Sequence, residues 1–332
     1  MKPEFDITVL IVAYKSRDTI RRCLAALEQQ TCAPARVKLL ENGSPGEERL
    51  VADELPDWVE FVSSEENLGF AGGNNLLAQD VETDWLVLLN PDAFPHSDWI
   101  SALKAATTRF PEVRLFGSTQ FAADQSGVLD GCGDVYHGFG LAYRSGYGKR
   151  WPSPPPTGEV FGPCGAALLI RRETWQALGG FDDAFFCYNE DVDLAYRARL
   201  QGWPTIQLAE AQIDHLGYGS SGRRSEFATF HGVRNRLWVF LRNTPGWAFP
   251  LLAPLHAAIT LALWLSAARF GHFTLFGKAL GAALKDWPRI MRERRALQAN
   301  RKVKVSEILS AMTWNPFALL TRAADVRAPK ER

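Results

Sequence analysis

Short apolar runs separated by polar segments dominate the first hundred residues of the chain. Residues 7–14 show no alternation of apolar and polar positions, which favours a strand buried on both faces. The next segment has helical spacing, with Leu24 and Leu27 on its buried side and Ser16 or Asp18 as its cap. Strands that alternate with helices in this way predict βαβ units and an α/β fold with a mostly parallel sheet.

Further strands are predicted over residues 37–40, 60–63 and 85–89, and a helix is predicted over residues 76–81. Polar clusters follow three of the strands, at Lys15-Ser16, Glu41-Asn42-Gly43-Ser44 and Asn90-Pro91-Asp92. Ligands of such sheets bind beyond the carboxyl ends of the strands. The three clusters therefore mark the edge of the sheet where we expect a binding site.

A long segment without an obvious element follows in the middle of the chain. Residues 131–162 are rich in Gly, Tyr and Pro, and they predict an irregular loop of a length that is usually functional or mobile. A buried strand is expected over residues 164–170. A helix is expected over residues 191–201, ending at Gly202 before Pro204.

The C-terminal part contains a long uncharged stretch from Asn243 to Ala268. Its length suffices to cross a bilayer core of ~30 Å, but internal prolines and His256 weaken a straight membrane-spanning helix. Three interpretations remain open: a helix in the membrane interface, a membrane span, and an arm that packs against a partner chain in an oligomer. The basic stretch from Lys285 to Lys304 would favour anionic lipid on the cytosolic face.

Composition narrows the class of protein. Lys+Arg and Asp+Glu both number 37, so the formal net charge is zero, which argues against a general nucleic-acid-binding role. The 5 cysteines are scattered and form no CxxC pair, which argues against a disulfide framework or a structural zinc site. The first residues lack a signal-peptide pattern, so we expect a cytosolic catalytic part.

Two clusters in the first half carry candidate chemistry. Asn67 to Asn75 contains three glycines that let the backbone approach a ligand, beside a helix start that favours an anion such as a diphosphate. A plain glycine-rich turn is the alternative. Asp92, directly after a strand, is placed to hold Mg²⁺ or Mn²⁺, and the alternative is that Asn90-Pro91-Asp92 only forms a turn.

Two clusters in the second half complete the candidate chemistry. Glu190, Asp191 and Asp193 place three carboxylates in four residues, and a neighbouring carboxylate raises the pKa of a general base. The alternative is a capping role at a helix start. His215 precedes a basic, glycine-rich segment in which Arg223 would pair with diphosphate oxygens. The imidazole would complete a metal shell, and the alternative is a structural histidine.

In this order, the clusters resemble the inverting family 2 glycosyltransferases of the GT-A fold, and most of all their bacterial rhamnosyltransferase-type branch. The resemblance covers residues 7–240 and departs from the family at Glu41 and Asn90, where the family carries aspartate. The matching motifs are Val12-Ala13-Tyr14, Glu41-Asn42-Gly43-Ser44, Asn67 to Asn75, Asn90-Pro91-Asp92, Glu190-Asp191 and His215.

The resemblance implies a role for each matching residue. Asp191, with Glu190 beside it, would take the proton of the acceptor hydroxyl, while Asp92 and His215 would bind Mg²⁺ or Mn²⁺. The acceptor would lie near Cys164 and Gly165. The donor-binding residues would be Ala13, Tyr14, Glu41, Asn42, Ser44, Asn67, Gly69, Phe70, Gly73, Asn74, Asn90, Asp92 and Arg223.

The resemblance also implies a substrate and a location. The donor would be dTDP-L-rhamnose and the acceptor a glycan or lipid-linked glycan of a cell-surface polysaccharide, reached from the inner face of the plasma membrane. Residues 1–240 would form the transferase domain and residues 241–332 a helical extension. A UDP-hexose donor is one alternative. A catalytically silent nucleotide-sugar-binding module is the other: Asn90 supports it, and the intact Glu190-Asp191 pair opposes it.

Overall fold

The computed structural model describes residues 5–151, 153–217 and 225–329. The strands are β1 Phe5–Ala13, β2 Pro34–Asn42, β3 Val59–Ser64, β4 Trp85–Leu89, β5 Ala93–Pro95, β6 Leu115–Ala122, β7 Leu129–Gly131, β8 Asp134–His137, β9 Leu141–Arg144, β10 Gly158–Val160, β11 Ala167–Arg171 and β12 Thr205–His215. The α-helices are α1 Arg17–Glu28, α2 Gly69–Leu77, α3 Trp99–Arg109, α4 Arg172–Leu178, α5 Glu190–Leu200, α6 Glu226–Asn243, α7 Ala248–Ala267, α8 Phe273–Lys285, α9 Trp287–Ala299, α10 Val305–Ala311 and α11 Pro316–Thr321.

The main sheet has the order β10-β12-β6-β11-β4-β1-β2-β3. Strands β4, β1, β2 and β3 pair in parallel, which confirms the βαβ prediction for the first hundred residues. Strand β11 runs antiparallel to both of its neighbours, so the sheet as a whole is mixed. The carboxyl ends of β1, β2 and β4 consequently lie side by side at one edge.

Both faces of this sheet are covered, which explains the lack of alternation in β1. Val9 and Leu39 pack with α1 in one apolar cluster, whereas Leu10 and Leu40 belong to the cluster on the opposite face. Leu24 and Leu27 of α1 are buried as predicted. Ser16 occupies the N-cap position of α1 without a side-chain cap hydrogen bond.

Three predictions of local structure are wrong. Residues 131–162 are not one irregular loop, because they contain β8, β9 and β10, which are too short for their periodicity to show in the sequence. The helix predicted over residues 76–81 is Gly69–Leu77, which begins inside the glycine-rich cluster. The strand predicted over residues 164–170 begins only at Ala167, and Cys164 and Gly165 lie in the turn before it.

The C-terminal helices share an apolar core with the sheet region. Tyr136 and Tyr196 cluster with Trp238 of α6, Ile290 of α9 and Ile308 of α10. Within the described part of the chain, one helix, Ala248–Phe270, is long and apolar enough to cross a membrane. Its mean hydropathy is 1.7. The division of the chain at residue 240 stays a prediction.

Candidate active site

A cleft of about 510 Å³ opens at the carboxyl ends of β1, β2 and β4. It brings together residues from all three polar clusters that the strand pattern marked, together with the start of the glycine-rich segment and His215. Its lining residues are Val12, Tyr14, Lys15, Ser16, Asp18, Thr19, Asn42, Asn67, Gly69, Phe70, Asn90, Pro91, Asp92, Arg144, Phe186, Cys187, Tyr188, His215 and Phe227.

The glycine-rich segment is fixed against the cleft by Asn42. The Asn42 side-chain amide donates to Asn67 Oδ1 at 3.1 Å and to the Gly69 carbonyl at 3.2 Å, and its Oδ1 accepts from the Leu68 amide at 3.0 Å. Gly69 has a φ of +72°, and a Cβ there would lie 2.4 Å from the Phe186 carbonyl oxygen. Only glycine fits this position, where the segment meets the opposite wall of the cleft.

Several predicted donor-binding residues lie behind the cleft wall. The Glu41 carboxylate is fully buried and accepts hydrogen bonds from the amides of Ser44 at 2.6 Å and Leu50 at 3.1 Å. A Cβ on Gly73 would lie 2.8 Å from Val12 Cγ1, so Gly73 lets α2 pack closely on β1. These residues shape the loops that line the cleft.

Ala13 and Asn74 are likewise buried and absent from the lining. Asn74 donates to the Phe70 carbonyl at 2.9 Å within α2. Lys15 of the cluster after β1 lines the cleft, and so do Asp18 and Thr19, which sequence reasoning missed as site residues. Their only signal was their position directly after the first strand. Arg223 lies outside the described residues.

Three side chains that line the cleft, those of Asn90, Asp92 and His215, lie within contact distance of one another after β4. His215, the last residue of β12, places Nε2 3.2 Å from Asp92 Oδ1 and 3.4 Å from Asn90 Nδ2. Its other ring nitrogen, Nδ1, lies 2.7 Å from Asp130 Oδ2, and Arg144 pairs with the same Asp130 carboxylate. Burial opposes a charged imidazole, but the hydrogen bonds to Asp130 and Asp92 raise the pKa of His215 to about 9.

The donor set of these side chains fits a divalent metal that is shared with a ligand. A carboxylate oxygen of Asp92 and an imidazole nitrogen of His215 face one another, and both atom types suit Mn²⁺ once the cation displaces the proton from the His215 ring. No group of three or more His, Cys, Asp or Glu side chains with metal-binding geometry occurs in residues 5–151, 153–217 and 225–329. Further ligands would therefore have to come from a diphosphate and water.

The Glu190-Asp191 pair begins α5 beside the cleft. Asp191 Oδ2 accepts from the Gly165 amide at 2.9 Å, and its Oδ1 accepts from the Val192 amide at 2.8 Å. A Cβ on Gly165 would lie 3.0 Å from Asp191 Oδ2, so glycine leaves room for the carboxylate. Asp191 itself is not among the lining residues, but Cys187 and Tyr188 of the preceding turn are.

Burial sets the protonation of this pair. It raises the pKa of Asp191 above its ordinary value, although backbone hydrogen bonds from Gly165 and Val192 oppose the rise. Burial and the charge of Asp191 raise the pKa of Glu190 well above its ordinary value. A carboxylate with a raised pKa is a stronger base, which suits proton abstraction from a hydroxyl near neutral pH.

The third acid of this cluster has a different environment. Asp193 is fully buried, pairs with Arg197 at 2.7 Å and also pairs with Arg242 of α6. Burial alone would raise the pKa of Asp193, but Arg242 and Arg197 lower it. Asp193 therefore ties α5 to α6. Arg199, a second basic residue of α5, pairs with Glu159 at 3.0 Å.

Sequence reasoning missed Asn235, which holds the turn before α5. Phe186, Tyr188 and Asn189 all have φ between 63° and 72°, a region that non-glycine residues rarely adopt. The buried Asn235 side-chain amide donates to the carbonyls of Phe185 at 2.9 Å, Cys187 at 2.8 Å and Tyr188 at 2.7 Å. No local pattern links residue 235 to this turn, because the contact is made only in the folded chain.

With this geometry in place, comparison with known proteins defines the class. Residues 3–239 match the family model described as glycosyltransferase like family 2, and the chain belongs to that family. It is 29% identical over 293 residues to the N-acetylglucosaminyl-diphospho-decaprenol L-rhamnosyltransferase of Mycobacterium tuberculosis. That match covers 77% of this chain and 91% of the relative. A second relative, the hexosyltransferase Agl10 of Haloferax volcanii, is 23% identical and covers 63% of this chain and 65% of its own length.

Solved structures confirm the GT-A fold. GalNAc-T7 with UDP, GalNAc and Mn²⁺ superposes with a TM-score of 0.56 at 15% identity, over 71% of this chain and 47% of that structure. This chain thus spans about half the length of that neighbour. Residues 1–349 of S. aureus TarS superpose with a TM-score of 0.52 at 13% identity, over 92% of this chain and 89% of that one. The protein is therefore a glycosyltransferase with a GT-A sheet and a helical C-terminal region.

Proposed function

We propose that this enzyme transfers L-rhamnose from dTDP-L-rhamnose, with inversion, onto a hydroxyl of a lipid-linked glycan precursor. The cleft supports this proposal most directly, because it joins the Asp92–His215 pair to the glycine-rich segment and to the turn that leads into α5, where Asp191 lies. The rhamnosyltransferase relative, which matches over most of its length, supports the choice of sugar and acceptor class.

The residues divide the reaction between two sides of the cleft. The donor diphosphate lies by Asp92 and His215, with the base and ribose toward Tyr14 and Asn42. Mg²⁺ or Mn²⁺, when bound there, neutralises charge that develops on the departing diphosphate. On the other side, Asp191 accepts the proton of the acceptor hydroxyl as the new glycosidic bond forms and the bond to the diphosphate breaks. The attack comes from the face opposite the leaving group, which inverts the anomeric carbon.

The location of the enzyme follows from its acceptor. The mycobacterial relative acts on a decaprenol-linked diphosphate sugar, by its name. An enzyme with such an acceptor works at the cytosolic face of a membrane, where its donor is soluble and its acceptor is anchored. The apolar helix α7 supports peripheral attachment of this chain to that face.

Substitution of Asp191 by Asn tests the role of the base. The amide keeps the shape of the side chain but accepts no proton, so we expect kcat to fall by about 10²–10⁴-fold. Binding of the nucleotide and metal, measured by calorimetry, should stay within about twofold of the native protein, because Asp92 lines the cleft and Asp191 does not. Native turnover by Asp191→Asn would remove this residue from the role of base.

A panel of donors tests the sugar independently. Nucleotide release from dTDP-rhamnose, UDP-glucose, UDP-galactose and UDP-N-acetylglucosamine is measured with one acceptor. We expect the largest kcat/KM with dTDP-rhamnose. A larger value with a UDP-hexose would change the donor and leave the transferase assignment intact. Tight nucleotide binding without release from any donor would instead indicate a silent binding module.

A further inference from the structure

An exposed apolar surface covers one side of α7. The stripe of Leu252, His256 and Thr260 faces the protein and is buried. The opposite side carries Leu251, Leu255, Leu261 and Leu265, which are 67%, 41%, 53% and 59% exposed. The water-facing side of a helix in a soluble protein is normally polar, so this side calls for an apolar environment.

The surface continues into the turn between α7 and α8. Phe270 and Phe273, which we name the apolar tip, are 58% and 44% exposed. The tip is held in place by Trp264, whose ring stacks on Phe273 at 5.3 Å between centroids and whose Nε1 donates to the Phe273 carbonyl at 2.9 Å. The two exposed phenylalanines are therefore presented by an ordered turn.

The apolar tip contacts α6 close to a residue that lines the cleft. His272, between the two phenylalanines, places Nδ1 3.0 Å from Thr229 Oγ1 in the first part of α6. Phe227, two residues earlier on α6, lines the cleft and lies 5.9 Å from the Phe186 ring, which lines it too. Less than one turn of α6 thus separates the cleft wall from the contact with the tip.

The charge of this region favours an anionic partner. Residues 243–285 contain no Asp or Glu, and their basic residues Arg269, Lys278 and Lys285 are all exposed. Two copies of the chain that met through this surface would bring these cations together across a two-fold axis, which is repulsive. Exposed leucine and phenylalanine interspersed with basic residues match the interface of an anionic bilayer.

The packing of α7 favours a helix that lies on the membrane and does not cross it. His256 in the middle of α7 bonds through Nδ1 to the Phe139 carbonyl at 2.8 Å and stacks on Phe240 at 4.0 Å between ring centroids. Insertion across a bilayer would break these contacts and leave the freed polar groups in hydrocarbon.

We propose that the apolar tip and the exposed side of α7 dock the enzyme on an anionic phospholipid bilayer, with the cleft mouth held at the headgroups. This inference rests on the proposed function only for the identity of the acceptor as lipid-linked. Docked in this way, the enzyme receives the glycan end of such an acceptor while its lipid stays in the bilayer.

Vesicle cosedimentation of the full chain tests the docking surface. The probes are vesicles of phosphatidylcholine alone and of phosphatidylcholine mixed with phosphatidylglycerol. We expect tighter binding to the anionic vesicles, weakened by salt, and a loss of about tenfold or more in the double variant Phe270→Ser, Phe273→Ser. The matched control is Val51→Ser, Trp58→Ser, which removes apolar side chains that are 50% and 40% exposed near β3, and it should bind like the native chain.

Three outcomes would overturn the docking surface. They are the absence of native binding to anionic vesicles, native-like binding by the tip variant, and a native dimer that the tip variant abolishes in analytical ultracentrifugation. The last would identify a second copy of the chain as the occupant of the surface.

Transfer assays separate this inference from the proposed function. With a water-soluble, short-chain acceptor, the tip variant should match the native enzyme, because the cleft is unchanged. With the acceptor embedded in anionic vesicles, the tip variant should be about tenfold slower or worse. Equal rates of the two proteins in vesicles would overturn the docking surface. Failure of the native enzyme to transfer to any acceptor would instead overturn the proposed function. The vesicle cosedimentation would still test the docking surface in that case.

Discussion

Asp130 is the residue whose contribution to the site is hardest to see in the sequence. It accepts a hydrogen bond from His215 Nδ1 at 2.7 Å, which leaves Nε2 as the nitrogen that faces Asp92. A carboxylate that orients a metal-binding histidine in this way raises the basicity of the ring and fixes its tautomer. Arg144 in turn pairs with Asp130 and lines the cleft.

Substitution of Asp130 by Asn should therefore weaken metal binding without removing a ligand. The amide can donate to Nδ1, which would turn the ring proton toward Asp92, so we expect Mn²⁺ affinity in the nucleotide complex to fall by about 10–100-fold. Electron paramagnetic resonance of free Mn²⁺ measures this directly. Glu159→Gln is the control, because Glu159 is also a buried acid paired with an arginine, but neither Glu159 nor its partner Arg199 lines the cleft. Equal affinities of Asp130→Asn and Glu159→Gln would show that Asp130 has no orienting role.

At the scale of elements, the turn over residues 186–189 decides where α5 and its Asp191 begin. The left-handed residues of this turn are costly, and Asn235 of α6 compensates by donating to two carbonyls of the turn, those of Cys187 and Tyr188, and to the Phe185 carbonyl just before it. The turn also contributes Phe186 to the cleft wall, where Gly69 leaves space for its carbonyl. Its position thus affects the proposed base, Asp191, and the wall of the cleft together.

Replacement of Asn235 by Ala should loosen this turn. Unbonded buried carbonyls cost about 1–3 kcal/mol in stability, and a shift of the base by an ångström costs about 100-fold in rate. We expect kcat to fall by about ten- to 100-fold, with nucleotide affinity much less affected. Gln30→Ala is the matched control, because the Gln30 amide also bonds three backbone groups, those of Ala26, His96 and Ile100. A rate in Asn235→Ala equal to that of Gln30→Ala would contradict the role of the clamp.

The elements also show what the residue pattern can and cannot predict. Strand β4 and residues 9–13 of β1 are continuous apolar runs, so the position of both strands and the cluster after each are predictable. Strand β6 is not, because Ser118, Thr119 and Gln120 are buried within it and interrupt the apolar pattern. Trp99 Nε1 donates to Ser118 at 2.9 Å, and the Thr119 hydroxyl donates to the Leu208 carbonyl at 2.7 Å. Such partners exist only after folding, and the same holds for Asp130 and Asn235 in the site.

At the scale of the whole molecule, buried charges connect the transferase fold to the C-terminal helices. Arg242 near the end of α6 pairs with Asp193 of α5, with Asp182 and with Glu293 of α9 at 2.8 Å. Arg289 of α9 reaches Asp182 at 2.8 Å, so one network spans three helices. The apolar cluster around Trp238 lies alongside it. The network thus fixes α9 relative to α5 and α6, and α7, which carries the docking surface, is held to α6 by the stacking of His256 on Phe240 at 4.0 Å.

The stability of this connection should depend on pH through Asp193. Its pKa is lowered in the folded protein, so its contribution is fully present above the unfolded value of about 3.9 and is lost as the pH falls through the folded value. Asp193→Asn leaves Arg242 and Arg197 without their buried partner, which should cost ~3–5 kcal/mol at neutral pH. Thermal unfolding followed by circular dichroism should show a lower Tm for the variant at pH 7 and a smaller further loss of Tm below pH ~4, since the titrating group is gone.

The exposed Asp57→Asn serves as control and should follow the native profile. A variant whose Tm stays native at pH 7 would mean that the arginines are satisfied without Asp193, and the network would then not be what holds the two regions together.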